Sequence, residues 1–194
     1  MITSLIEFDK WLFLLLNGWH ADILDPIMVG ISSRFLWIPL YAFLLYVLIK
    51  NYKVKSFYII LFVVLLITLC DQLSVQLFKN NFERLRPCHD PSIQSLVHLV
   101  NGYCGGQFGF VSSHATNVFG LAVFLGKILR NVWMRWPALL IVWACIVAYS
   151  RIYLGVHYPF DIIGGGLLGT IIALLLFKIM QIADDRFELK ILNP

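Results

Sequence analysis

The chain has 194 residues, 60% of them hydrophobic and 13% charged, with a mean hydropathy of +0.81. Soluble domains run near 45–50% apolar and about 25% charged. A water-soluble single domain is therefore excluded, as are a disordered chain, a solvated nucleic-acid binder and a disulfide-stapled secreted module. The net charge of +4 has to be read by where the charges fall along a membrane protein, not by their sum.

In chain order, residues 2–16, which include Glu7, Asp9 and Lys10, read as an amphipathic or interfacial helix, and 21–31 as a second short apolar helix. Whether these two make one crossing stays open. Uncharged, mostly apolar runs follow at 35–49, 56–70, 136–150 and 162–177, with a weaker helical run at 113–126. Each is shorter than the roughly 20 residues that cross a bilayer, so the helices must extend into flanking polar residues such as 71–78. The N-terminus shows neither a basic leader nor a small-residue cleavage site, so the first helix is expected to stay. No internal repeat or linker is visible, and the longest non-helical segment is about 80–111. The expectation is an all-α polytopic membrane protein: a six-transmembrane-helix bundle with an amphipathic N-terminal segment, forming one domain over 1–194.

With six segments, the basic residues sort by side. Lys50, Lys53, Lys55, Lys127, Arg130, Arg135, Lys178, Arg186 and Lys190 fall on one side, and Arg34, Lys79, Arg84, Arg86 and Arg151 on the other. Cytoplasmic loops carry the excess of Lys and Arg, so the long 80–111 segment is expected to face outward from the inner membrane.

Three clusters share that outward side. One runs from Lys79 through Arg86 to Pro87, the second is Ser112, Ser113 and His114, and the third is Ser150, Arg151, His157 and Asp161. Together they place cations, hydroxyls, imidazoles and a carboxylate at a membrane surface. A phosphate carries about −1.5 to −2 charges near neutral pH, which Lys79, Arg86 and Arg151 can match along with charge developing in a transition state. Ser112 or Ser113 can cap the helix that begins there, and such a helix start presents N–H groups to anions. Pro159 suits a first helical position, which puts His157 just ahead of a helix and Asp161 in its first turn. Asp161 can then fix one ring nitrogen of His157 while the other attacks phosphorus, and His114 can protonate the leaving oxygen.

These clusters resemble the three motifs of the type 2 phosphatidic acid phosphatase (PAP2) superfamily, Lys-x6-Arg-Pro, Pro-Ser-Gly-His and Ser-Arg-x5-His-x3-Asp. Lys79, Arg86 and Pro87 match the first motif, Ser112 and His114 the second, and Ser150, Arg151, His157 and Asp161 the third. Val111 and Ser113 stand where the pattern has proline and glycine. The resemblance implies a metal-independent, cofactor-free lipid phosphatase. In it His157 is the nucleophile that forms a phosphohistidine, Asp161 orients it, and His114 is the general acid. Phosphate is bound by Lys79, Arg86, Ser112, Ser113 and Arg151.

Outside the motifs, Arg84 and Glu83 match no role and are expected to form a solvated pair bordering the site. Asp71, inside an apolar run, either supports the site or makes a polar contact between helices. Gly164, Gly165, Gly166 and Gly169 suggest close helix packing beneath the site. Cys70 and Cys145 are expected to be reduced core residues, whereas Cys88 and Cys104 lie together in the outward segment and can form a disulfide. His20, His89 and His98 show no zinc-ligand spacing. The implied function is removal of phosphate from a membrane lipid. Candidate substrates are undecaprenyl pyrophosphate, phosphatidylglycerophosphate, phosphatidic acid and lipid A phosphate, with no nucleic-acid partner. A phosphotransferase with the same site, or an anion or proton transporter, are the alternatives.

Overall fold

In a bilayer each backbone N–H and C=O must be satisfied without water, which forces apolar sequence into helix. The computed structural model describes residues 2–188 and 191–192, so Lys190 lies outside the described residues. The order is α1 (Ile2–Asn17), α2 (Asp25–Ser32), α3 (Ile38–Tyr52) and α4 (Ser56–Leu73), then a π-helical turn (Ser74–Lys79) and the single turn α5 (Asn80–Phe82). After the long connection come α6 (Ser113–Leu129), α7 (Trp136–Tyr153) and α8 (Pro159–Phe187), with no strand among the described residues. The expected all-α architecture is found, built on the six long helices α1, α3, α4, α6, α7 and α8. Prolines open α3, α7 and α8, where a missing N–H costs no hydrogen bond.

Arg34–Phe82, which holds α3 and α4, together with Trp136–Tyr153 and Pro159–Phe187, are long and apolar enough to cross a membrane, and Ser113–Leu129 is a shorter apolar helix. The main core lies among these helices and buries Leu44, Leu66, Phe124, Leu140, Ala173 and their neighbours. Their outer faces expose Leu61 and Val64 on α4, and Leu167, Ile171 and Leu175 on α8. Such a band suits lipid and would be an aggregation liability in water.

The most extensive helix contact is between α6 and α8, and glycine makes it possible. A Cβ on Gly165 would stand 2.5 Å from the Ser112 carbonyl oxygen, and one on Gly169 would overlap the Thr116 carbonyl. With no side chain at these positions, the two backbones meet directly. The start of α6 is thereby fixed to the start of α8, where the Ser112 N–H donates to the Asp161 carbonyl oxygen at 3.0 Å.

Helix α1 has the opposite polarity to a soluble amphipathic helix. Asp9, Phe13 and Asn17 are buried at four-residue spacing, while Phe8, Trp11 and Leu15 are exposed. Asn17 Nδ2 donates to the Ile152 and Tyr153 carbonyls, its Oδ1 accepts from the His98 N–H, and Lys10 pairs with Asp90 at 3.0 Å. These partners all sit at one end of the bundle, where α7 finishes and α8 begins, so α1 lies across that end.

Replacing Gly169 with Val is expected to destabilise the purified protein by about 1–3 kcal/mol, the cost of overpacking a close interface. Thermal unfolding in detergent checks this, and an unchanged midpoint would contradict the glycine seam.

Candidate active site

Residues 84–86 run extended. Leu85 pairs with Phe108 in an isolated antiparallel bridge, the Arg86 N–H donates to the Gln107 carbonyl at 3.1 Å, and the Gly109 N–H donates to the Arg84 carbonyl at 2.8 Å. Extended backbone alternates its side chains, so Arg84 and Arg86 are turned the same way, towards Asp161. The Arg86 guanidinium donates to the Phe108 and Cys104 carbonyls at 3.2 and 3.1 Å. Cys104 is disulfide-bonded to Cys88, with Cα atoms 6.0 Å apart. The bridge closes the 88–104 loop, which ends at the Cys104 acceptor, and contributes about 3 kcal/mol by the chain-entropy estimate.

Lys79 is delivered by the π-helical turn that ends α4, a widened turn common at functional sites. Its ammonium donates to Ser113 Oγ at 2.8 Å, and Ser74 and Ser113 hydroxyls share a hydrogen bond of 2.7 Å. The carboxylate of Asp71, one helical turn before Ser74, acts electrostatically on Lys79. Ser112 caps α6, its Oγ accepting from the Ala115 N–H at 3.4 Å. Of the two serines, then, 112 caps the helix and 113 holds the lysine.

His157 is 1% exposed and Asp161 fully buried. Asp161 Oδ2 accepts the Tyr158 N–H at 3.0 Å and faces His157 Nδ1 at 3.4 Å, so one carboxylate caps α8 and orients the imidazole. Burial first, then the charges of Arg86, Arg151 and Lys79, hold His157 well below the usual histidine range, which keeps its ring neutral. His114, in the first turn of α6, is partly desolvated and faces the same three cations and the His157 ring. Arg151 donates from Nη1 to Ser32 Oγ, while its buried Nε–H has no protein acceptor. Gly109 lets these groups converge, since a Cβ there would lie 2.9 Å from Asp161 Oδ2, 3.2 Å from Arg86 Cγ and 3.6 Å from His157 Nδ1.

All eight motif-derived site residues are thus gathered at one end of the bundle: Lys79, Arg86, Ser112, Ser113, His114, Arg151, His157 and Asp161. An apolar cavity of about 580 Å³ descends from His114 along Asn117, Val118, Leu121 and Leu125 of α6, opposite Tyr41 and Leu44 of α3. Cations and a neutral imidazole above an apolar slot can hold a phosphate group whose hydrocarbon stays in the membrane. Among the described residues no group of three His, Cys, Asp or Glu is placed to hold a metal ion. His20 stacks on His98, which pairs with Asp25, and this contact fastens the start of α2.

Two expectations require correction. Arg84 is not half of a solvated pair with Glu83: its guanidinium bonds Asp161 Oδ1 at 2.9 Å and Asp9 Oδ2 at 2.7 Å. The available signal was Asp9 itself, a carboxylate in a membrane-associated apolar helix that has to find a cation. Cys145 is exposed on α7 and only Cys70 is buried, because a uniformly apolar run does not reveal which face meets lipid.

The PAP2 superfamily profile matches residues 57–185. The chain is 40% identical over 172 residues to a lipid A 4'-phosphatase of Bacteroides thetaiotaomicron, covering 87% of this chain and 75% of the relative. It is 38% identical over 186 residues to a lipid A 4'-phosphatase of Porphyromonas gingivalis, covering 94% and 77%. The crystal structure of a transmembrane PAP2-type phosphatidylglycerolphosphate phosphatase from Bacillus subtilis superposes with a TM-score of 0.71 over 92% of this chain and 87% of that one, at 23% identity.

Gly109→Ala is expected to slow turnover roughly 10–100-fold, because small displacements of reacting groups are costly. Steady-state phosphate release measures it, and wild-type rates would show that the convergence around Gly109 is not required.

Proposed function

The chain belongs to the PAP2 superfamily and is a membrane lipid phosphatase, and from that premise we propose that it removes a phosphate monoester from lipid A through a phosphohistidine on His157. The observation that carries this reading is the convergence of His157, His114 and three cations above the apolar cavity. Lipid A is favoured over the other candidate lipids by the two relatives with that named substrate, each matched over three quarters of its length or more.

His157 Nδ1 faces Asp161, so Nε2 is the nitrogen free to attack. The Nε2–P bond forms as the P–O bond to the lipid breaks, and His114, which takes up a proton as the phosphate dianion settles among the cations, delivers that proton to the departing oxygen. Asp161 balances the positive charge that grows on the imidazole, and Lys79, Arg86 and Arg151 take the phosphoryl oxygens. Water, deprotonated by His114, then attacks phosphorus, the N–P bond breaks, and inorganic phosphate leaves with His157 neutral again. Ser112 and Ser113 contribute at the start of α6, where N–H groups favour an anion. Excess basic residues at the opposite end of the bundle support an outward-facing site in the cytoplasmic membrane.

Purified protein given lipid A is expected to release inorganic phosphate equally with and without EDTA. His157→Ala is expected to abolish release, and His114→Ala to lower it about 10²–10⁴-fold, the usual contribution of a general acid. Full activity in His157→Ala, or no release from lipid A while another lipid phosphate is cleaved, would overturn respectively the mechanism and the substrate.

A further inference from the structure

One group of charges stands behind the catalytic pocket. Arg84 lies between two carboxylates that are both fully buried, Asp161 on α8 and Asp9 on α1. Its guanidinium is also packed over the Tyr158 ring, with Cζ 4.2 Å from the centroid. Tyr158 is fixed in turn by its hydroxyl, which donates to Asp90 at 2.9 Å. Asp9 Oδ1 accepts the Phe160 N–H at 3.0 Å, a donor in the first turn of α8 that has no partner within its own helix. A chain of bonds therefore runs from Asp9 through Arg84 to Asp161 and on to His157.

We propose that Arg84, anchored by Asp9, is a positioning residue that aims the Asp161 carboxylate at His157 and thereby sets the reactivity of the nucleophile. The inference rests on the reading of His157 as the attacking group. Asp161 has two oxygens with separate duties: Oδ1 is taken by Arg84, and Oδ2 serves the Tyr158 N–H and His157. The planar guanidinium bonds Asp161 through Nη1 and Asp9 through Nη2, so it fixes the direction of one carboxylate relative to the other. Without it, two buried carboxylates would face each other across an uncompensated site. Breaking one partner from a buried charge cluster is costly, and proton uptake is the usual escape. A protonated Asp161 no longer balances the charge that forms on His157 during attack. Arg84 does this without touching the phosphate, so its loss is read in the chemical step and not in substrate binding. The arrangement also makes α1 part of the catalytic architecture: a helix with Phe8, Trp11 and Leu15 exposed carries the acid that anchors Arg84.

The test is steady-state kinetics of phosphate release from lipid A in mixed micelles by the purified full chain, with Arg84→Ala, Arg84→Lys, Asp9→Asn and His157→Ala run together. Arg84→Ala is expected to lose roughly 10–100-fold in kcat, the scale of losing a group that orients a working histidine, with KM within about threefold. Arg84→Lys and Asp9→Asn should fall between it and wild type, and millimolar guanidinium should restore part of the Arg84→Ala rate. A merely structural loss would not respond to guanidinium. Wild-type kcat in Arg84→Ala, or a loss that appears in KM and is restored by neither lysine nor guanidinium, would overturn the proposal. His157→Ala separates the two readings: if it stays active the site assignment fails, and if it is dead while Arg84→Ala is unimpaired only the role of Arg84 fails. Should Arg84→Ala not yield folded protein, the lysine variant and Asp9→Asn carry the same kcat-against-KM comparison.

Discussion

The distance between the backbones of α6 and α8 governs the rest of the site. One histidine is carried by the first turn of α6, and the other precedes the first turn of α8. They serve one reacting centre only if the two helix starts touch. Gly165 and Gly169 allow that approach, and the bond from the Ser112 N–H to the Asp161 carbonyl fixes the register. Everything else is recruited to this pair. Lys79 arrives through the π-helical turn onto Ser113, Arg86 is held by the Cys104 carbonyl at the end of the disulfide-closed loop, and Arg151 comes from the last turn of α7.

Bringing three cations together has an electrostatic cost. Two like charges about 6 Å apart repel by roughly 3 kcal/mol at an effective dielectric near 20. The protein spreads that cost by giving Arg86 two backbone carbonyls, Lys79 a serine hydroxyl and Arg151 the Ser32 hydroxyl. These neutral acceptors hold the side chains in place without cancelling their charge, so the pocket keeps its attraction for a dianion. Arg84 is treated differently: it is neutralised by two carboxylates, and its charge is spent inside the scaffold. On the proposed mechanism, the same residue type does binding at 86 and 151 and positioning at 84. The apolar cavity beneath His114 completes the division, with charge above and space for hydrocarbon below.

The helices, and the residues of the three motifs, could be read from the sequence because each rests on local information: apolar runs, a proline at a helix start, charged residues at fixed spacing. Asp9 and Arg84 could not be paired in that way. They are 75 positions apart, and their meeting depends on α1 lying across the end of the bundle, a matter of tertiary packing that residues 2–16 alone do not encode. Cys145 illustrates the same limit, since α7 is apolar on both its lipid and core faces and burial leaves no periodic trace. The choice between Ser112 and Ser113 also needed the third dimension: the Ala115 N–H marks the capping hydroxyl, and the position of Lys79 marks the one that holds a cation.

The most direct measurement is to catch the covalent intermediate. Purified protein mixed with lipid A, quenched within one turnover in alkali and digested for peptide mass spectrometry, should carry one phosphate on the peptide containing His157. Phosphate found on His114 or on Ser112, or no phosphorylated peptide during active turnover, would contradict the account.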